Sequence, residues 1–597
     1  MRQGFFKKLG IHEPISQHFF TSQDKFFVFH AHLAGLLTVP RQMLDFHVVA
    51  QSAGAVVLNS SSGSRCPPNA SPRLSSNVAI NHRSRNRKIA VIASQSYDCG
   101  SDGFIFRTTS AMPTPNQPHI LLITTDQLRK DVLGCYGGAA VRTPHIDAIA
   151  AREGGTRFDR AYTASPLCLP ARCSMLTGLF PHNSRAYSNF RLCPLDPKLP
   201  NLYNQLQRAG YTTAHFGKCH YTPAPYDDAR PEATIDRENV EDYTLNLGLN
   251  HLDLLNGKSN SVWFWNDYSR ELDAAGYLAA YREQMWKKQE NRRIFPFPAP
   301  DHWHPDAWIS RKAVEYINTH NHNTPQFLWV SLCGPHFPFD APESYYSRVD
   351  MQKLPPLIYK DGEFDQSKIQ SAAFHGGDSR FPVVEGRIWA PDRACKNYSD
   401  DFWNQLRQAY LANVALIDDG VGSIIASARA VLGENLLIFF TTDHGEMLGN
   451  HRLWGKNGCA YEDVLNVPLL AQFPGQSKNI PQHSNALVRL TDLLPTCLTV
   501  AGAPIPQLTD GRDLRQSLTD GGHPYILAES EGLLTISDGR YKYTQCRRPP
   551  DLELCEAYDL LTDPHEFNNV INTPSLAPQI SQLRSTLLSA FMNDLLN

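Results

Sequence analysis

The sequence predicts an α/β fold: a large, mainly parallel mixed sheet flanked by helices, with a small C-terminal α+β subdomain. Three observations predict it. From residue 119 onward, apolar strand-like runs alternate with segments of helical period, the pattern of a parallel sheet covered on both faces. Polar residues gather just beyond the carboxyl ends of four of those runs, where open α/β sheets bind their ligands. The chain then closes on a turn-bounded strand pair and a helical tail, outside the alternation. With 597 residues, 42% of them hydrophobic and 19% charged, there is apolar mass for a large core, which excludes a fibrous or wholly disordered chain.

The elements follow in order. Residues 1–115 read as a disordered leader or as a start placed too early. Residues 58–86 are crowded with Ser, Asn, Arg and Pro and lack any period, and Met112 stands just ahead of the first convincing strand. A working leader implies a periplasmic or secreted protein, and a start at Met112 a cytoplasmic one. The catalytic domain is expected over residues 116–520. Its strand runs are His119 to Thr125, Thr212 to Phe216, Phe327 to Leu332 and Leu436 to Phe440. Helical periodicity covers Pro144 to Arg152, Leu199 to Ala209, Trp308 to Thr319 and Phe402 to Ala430. Residues 222–300 and 340–400, rich in Pro, Asp, Tyr and Trp, are too long for ordinary connections and read as substrate-shaping insertions. In the subdomain expected over 521–597, Leu533 to Ile536 and Tyr541 to Gln545 flank Ser537-Asp538-Gly539-Arg540 as a hairpin, and Leu576 to Leu595 reads as helix.

Several function classes drop out. Lys and Arg number 56 against 59 Asp and Glu, a net charge of −3, so neither a nucleic acid nor an anionic membrane surface is an expected partner. No run approaches the roughly 18–20 apolar residues of a membrane span; the nearest, Phe26 to Pro40, contains His30 and His32. Thirteen cysteines, an odd number without a CxxC framework, do not make a disulfide scaffold.

The sharpest local signal is Cys168-Leu169-Pro170-Ala171-Arg172, followed by Thr177-Gly178. Alone it equally describes a buried cysteine opening a helix, with Pro170 in the first turn. The strand ends add to it. Asp126 with Gln127, and Asp443 with His444, supply oxygens and an imidazole suited to a divalent cation. Lys218 and His220, two residues apart, face the same way, and His336 and Lys456 complete a pocket for sulfate or phosphate. Each has an ordinary alternative: a helix cap for Asp126, a solvated strand end for Lys218, a buried ring for His336. Their shared placement after successive strands argues for one site. Trp263, Trp265, Trp286 and Trp303 suit either stacking on sugar rings or packing of the insertions. His302 and His304 lack a third ligand and make no second metal site.

From about residue 116 the chain resembles the type I, formylglycine-dependent sulfatases of the alkaline-phosphatase superfamily. Cys168 to Gly178 is similar to the family signature CxPxR followed by TG. Gly210-Tyr211-Thr212 through Gly217-Lys218-Cys219-His220 is similar to GYxT…GKxH, and Asp443-His444-Gly445 with Gly449, His451 and Lys456 to DHG…GxH…K. Ala557-Tyr558-Asp559-Leu560, Asp563-Pro564 and Glu566-Phe567-Asn568-Asn569 resemble the C-terminal YDL…DPxEFNN stretch. The resemblance implies that a formylglycine-generating enzyme oxidises Cys168 to Cα-formylglycine, whose hydrate attacks the sulfur of a small-molecule or saccharide sulfate ester. It implies His220 as the base that releases sulfate and His336 as proton donor to the leaving oxygen. Lys218 and Lys456 then bind the sulfate, and Arg172 holds the diol. The implied metal ligands are Asp126, Gln127, Asp443, His444 and the diol oxygen from Cys168, around calcium, with magnesium or manganese next. Asn189 and His451 are further candidates for touching the site. Three residues depart from the family pattern: Gln127 for a second Asp, Ala171 for Ser, and His444 for Asn. Gln127 keeps a phosphonate monoester or phosphodiester hydrolase of the same superfamily in view, and a silent anion-binding protein is the reading from another class.

Overall fold

The computed structural model describes residues 117–597, apart from 190–194, 222–242, 244, 264, 287–293, 365–368, 370–394, 457–458, 476–479, 531, 548–553 and 593–597, together with three short N-terminal strands. Two units separate, Met1–Thr108 and Thr109–Asn597. In the first, β1 (Val28–Phe29), β2 (Phe46–Ala50) and β3 (Val56–Ser60) pair antiparallel. The remainder of the expected leader lies outside the described residues.

The second unit is built on an eight-stranded sheet. Its strands are β4 (His119–Asp126), β5 (Gly155–Tyr162), β6 (Thr212–Gly217), β7 (His251–Leu254), β8 (Gln326–Pro335), β9 (Leu436–Thr442), β10 (Asn466–Gln472) and β11 (His483–Arg489). They lie in the order β11-β5-β10-β9-β4-β8-β6-β7. Only β10 runs against its neighbours, so the sheet is mixed and mainly parallel, as expected. The central strands are apolar without alternation because both faces are covered. Along β4, Leu121 and Ile123 enter one core and Ile120 and Leu122 the other, as a period of two requires.

Helices supply both covers. The first face is packed by α1 (Pro144–Ala151), α4 (Pro305–Thr319) and α5 (Asp400–Leu432), and the other by α2 (Cys168–Thr177), α3 (Leu202–Arg208) and α6 (Leu493–Val500). Local chemistry marks their ends. Asn201 and Asn204 form a reciprocal cap on α3, which starts three residues later than periodicity alone predicts because Asn201 intervenes. The Ser399 side chain caps α5, and Gly433, at φ 83°, ends it. By length and composition alone α5 could cross a membrane. Its apolar face, with Trp403, Tyr410, Leu411 and Val414, is instead buried in the core.

The insertion over 222–300 contributes the edge strand β7 through His251–Leu254. Four residues are too few to show as a strand by pattern. A second, antiparallel sheet follows, made of β12 (Ile526–Glu529), β13 (Leu533–Ser537), β14 (Tyr541–Cys546) and β15 (Cys555–Asp559). Helix α7 (Ala577–Met592) packs on it. The hairpin and the helical tail are therefore where the sequence puts them, in a distinct α+β subdomain. Among the described residues, Cys135, Cys168, Cys219, Cys333, Cys395, Cys459, Cys497 and Cys555 are free thiols.

Candidate active site

Four parallel strands end on one edge of the sheet, and each delivers polar residues there. β4 ends on Asp126, and Gln127 turns the chain at φ 67°. β6 runs into Lys218 and then His220 at φ 50°. Beyond β8 lies His336, whose backbone N–H donates to the Asp126 carbonyl at 3.1 Å. β9 leads into Asp443 and His444. Left-handed backbone in a non-glycine residue costs about 1–3 kcal/mol and survives only where surroundings impose it. Here it falls where the side chains converge.

Cys168 is the first residue of α2, every residue of which is buried, so its sulfur lies at the positive end of a helix dipole. Asn189 accepts the Leu169 N–H at 2.9 Å, satisfying a first-turn donor that the helix leaves open. Asn189 thus touches the site through the backbone that carries Cys168.

The cluster is tight. Cys168 Sγ lies 3.2 Å from His444 Nε2 and 3.8 Å from Asp126 Oδ1. His444 Nε2 is 3.7 Å from Asp126 Oδ1 and 3.6 Å from Asp443 Oδ1. One donor atom from each of Asp126, Cys168, Asp443 and His444 lies within 4.8 Å of the others, and all four residues are buried. His444 Nδ1 faces the Gly445 carbonyl at 3.0 Å. A proton there leaves the Nε2 lone pair toward the cluster, the usual device for a metal-ligating histidine. Two carboxylates, an imidazole and residue 168 form a donor set that fits a divalent cation. Gln127 borders it: its side-chain oxygen accepts from Lys456 at 2.7 Å, and its side-chain nitrogen donates to Glu446.

Cations surround the cluster. Arg172 is fully buried and donates through Nε to Asp443 Oδ2 at 2.9 Å, and through Nη1 to the Lys218 carbonyl at 3.0 Å and Ser331 Oγ at 2.6 Å. Lys218 pairs with Asp126. Burial alone would raise the Asp126 carboxyl, but Lys218, His336 and Arg172 outweigh it and hold the group low. Burial likewise opposes ionisation of the Cys168 thiol, and Lys218, Lys456 and His444 overcome it. Asp443 is pushed up by burial and by Asp126. Burial lowers His220, and burial together with Lys456 brings His336 down to about 4.

The structure thus brings Asp126, Gln127, Cys168, Arg172, Lys218, His220, His336, Asp443, His444 and Lys456 to one place. His451 stands apart from them in its contacts, pairing with Glu363 at 2.5 Å and stacking on Tyr461. Trp263, Trp265 and Trp303 pack against the core, with Arg282 over the first two and Arg311 over the third; the Trp286 side chain lies outside the described residues. Sequence reasoning missed Ser331, Glu446 and Tyr410. Glu446 follows Asp443-His444-Gly445 directly and was within reach. Tyr410 sits mid-helix in α5 and donates to the Gln127 carbonyl at 2.7 Å, a contact with no local signal.

Comparison with known proteins gives the family. The sulfatase family profile matches residues 118–503. The chain is 26% identical over 486 residues to an uncharacterized sulfatase, YidJ, of Escherichia coli, a match spanning 79% of this chain and 86% of that one. It is 27% identical over 529 residues to the multifunctional alkaline phosphatase superfamily protein PehA of Trinickia caryophylli, spanning 79% and 94%. The solved phosphonate monoester hydrolase of Agrobacterium radiobacter superposes with a TM-score of 0.64 at 23% identity, covering 80% of this chain and 96% of that one. That likeness speaks for the fold alone. With more than half of the chain inside the family match, the protein belongs to the sulfatase family and hydrolyses sulfate esters.

Proposed function

We propose that the protein cleaves a sulfate monoester on a carbohydrate or aryl alcohol, with residue 168 as formylglycine. The observation that carries this reading is the Cys168 sulfur, 3.2 Å from His444 Nε2 and ringed by two carboxylates and two lysines. That sulfur stands in for a hydroxyl oxygen of the hydrated aldehyde. Installed by a formylglycine-generating enzyme, the hydrate supplies one oxygen to take the sulfuryl group and a second whose deprotonation expels it. His220, kept neutral by burial, is in the form a base needs to remove that second proton. His336 donates Nδ1–H to the Phe337 carbonyl at 2.7 Å, so Nε2 is the nitrogen that delivers a proton to the leaving oxygen. Its low pKa keeps the ring neutral until the sulfate brings negative charge beside it. Lys218 and Lys456 bind the sulfate oxygens, and Arg172 braces Asp443 and Asp126 from beneath.

Asp126, Gln127, Asp443 and His444, with residue 168, would hold the cation, which polarises the sulfate and favours the ionised hydroxyl. Calcium is the first ion to test, then magnesium and manganese. Choline-sulfatase of Rhizobium meliloti, 27% identical over 475 residues, and the ulvan-active sulfatase of Formosa agariphila, 24% identical over 508, mark how widely substrates differ among relatives.

The deciding experiment is the mass of the tryptic peptide Ala161–Arg172 from protein made in its native host. Conversion of Cys168 removes about 18 Da, and Cys168→Ala is expected to abolish aryl sulfate turnover. An unmodified cysteine in an active preparation sinks the mechanism. Faster turnover of a phosphonate monoester than of an aryl sulfate moves the enzyme to the phosphonate branch.

A further inference from the structure

A second cluster of buried ionisable groups lies outside the site. Lys258, His304, Asp306, Asp340 and Asn413 come from the helix after β7, the start of α4, the loop after β8 and the middle of α5, and all five are buried. The Lys258 ammonium donates to Asp340 Oδ1 at 2.7 Å, Asn413 Oδ1 at 2.6 Å and the Pro338 carbonyl at 3.3 Å. The Tyr281 hydroxyl donates to the other Asp340 oxygen. Asn413 Nδ2 donates to Asp306 Oδ2 at 3.0 Å. Asp306 Oδ1 accepts two successive backbone N–H groups, Cys333 at 2.7 Å and Gly334 at 2.8 Å. His304 accepts the Asp306 N–H at Nδ1, so its proton sits on Nε2, facing Asp340 at 3.4 Å.

Burying an ammonium this deeply is costly even when it is paired. What it holds is the stretch from the end of β8 at Cys333 through the following loop to Asp340. Asp306 grips the start of that stretch, Lys258 grips its end at Pro338 and Asp340, and Asn413 joins the two grips. His336 is midway between them. The grip at the start is close enough that a methyl at Gly334 would collide with the Asp306 and Asn413 oxygens. One buried ammonium therefore braces the loop that carries His336.

We propose that Lys258 is a positioning residue for sulfate-ester cleavage: through Asp340 and Asn413 it sets His336 against the leaving oxygen. This rests on the reading of His336 as proton donor. Protonation matters most when the departing alcohol is a poor leaving group, so the signature of a misplaced His336 is a rate that depends more steeply on the leaving group.

The test uses full-length, formylglycine-bearing enzyme and aryl sulfates running from nitrophenyl to phenyl, with kcat and KM measured for each. Lys258→Met is expected to retain most activity on the nitrophenyl ester and to lose about tenfold or more in kcat on phenyl sulfate, with little change in KM. Asp340→Asn, which preserves shape, is expected to show a smaller loss with the same trend, and His336→Ala a larger one. A folded Lys258→Met that loses activity equally across the series, or not at all, overturns the proposal. Where Lys258→Met does not fold, Asp340→Asn decides: a steeper dependence supports the proposal and an unchanged one overturns it. A steeper dependence in His336→Ala alone removes the positioning role and leaves the donor in place. An unchanged dependence in His336→Ala removes the donor assignment, and the proposal with it.

Discussion

Gln127 shows how much one side chain can organise. At φ 67° it leaves β4 with its amide spanning the gap between Glu446 and Lys456. A carboxylate accepts and an ammonium donates, so the two neighbours settle which end of the amide faces which. The nitrogen points to Glu446 and the oxygen to Lys456. As the proposed ligand in place of an Asp, that oxygen would bring the cation no negative charge. Asp126 and Asp443 are then the carboxylates that a cation must satisfy. Removing the cation with a chelator is expected to lower the melting temperature, and adding calcium or manganese to restore it. A ligand at about a thousandfold above its Kd stabilises by about 4 kcal/mol. In Asp443→Asn the melting temperature should cease to respond to either treatment. A wild-type response in that variant would place the ion elsewhere.

At the scale of elements, the 33 residues of α5 do more than cover the sheet. Tyr410 reaches Gln127 and Arg129, Asn413 reaches Asp306, and Asp418 reaches the start of α1. There the Asp418 carboxylate accepts the His145 N–H at 3.1 Å and the Ile146 N–H at 2.9 Å, capping α1 from a neighbouring helix. Burial, opposed by these two hydrogen bonds, pushes Asp418 up to about 6. A carboxyl raised above its unfolded value of 3.8 takes up a proton on folding at mildly acid pH. Its stabilising contribution is complete below that value and disappears as pH rises through about 6. Asp418→Asn should therefore gain stability relative to wild type between pH 4 and pH 8, by up to about 3 kcal/mol. Urea unfolding at both pH values measures this, and a difference independent of pH would refute it. The helix period was plain in the sequence. The inward-facing Tyr410, Asn413 and Asp418 were not, because their partners are hundreds of residues away.

At the scale of the whole molecule, the C-terminal sheet is fastened to the catalytic core by a buried charge. Lys542, on β14, pairs with Glu462 at 3.2 Å and with Glu566, and donates to the Ala460 carbonyl at 2.8 Å. Burial and Glu462 push Glu566 up to about 7, against the pull of Lys542. Lys542→Met leaves the buried Glu566 and the half-buried Glu462 without their cation, and removing one partner of a buried ion pair typically costs about 3–5 kcal/mol. Urea unfolding is expected to show that loss, with part of it recovered when Glu566→Gln is added. No loss in the single variant would mean that the subdomain is held by its apolar contacts alone. The Glu566-Phe567-Asn568-Asn569 stretch was visible in the sequence as a resemblance, and its bond to β14 was not.

Strand and helix periods, the residues after each strand, and the Cys168 to Gly178 signature were local properties, and the sequence by itself determined them. They sufficed for the fold class and, through the family resemblance, for the sulfatase activity and for ten residues that gather at the sheet edge, but not for Ser331 or Glu446 beside them. Only the tertiary structure decided what stands behind those residues. β7 was too short to carry a pattern, and Glu446, Tyr410, Lys258 and Asp340 acquire meaning from partners that are remote along the chain. The physical reason is that period and side-chain chemistry are written along neighbouring residues, whereas a buried polar group is matched in space. A sequence names the groups that need partners, and folding selects which partners they receive.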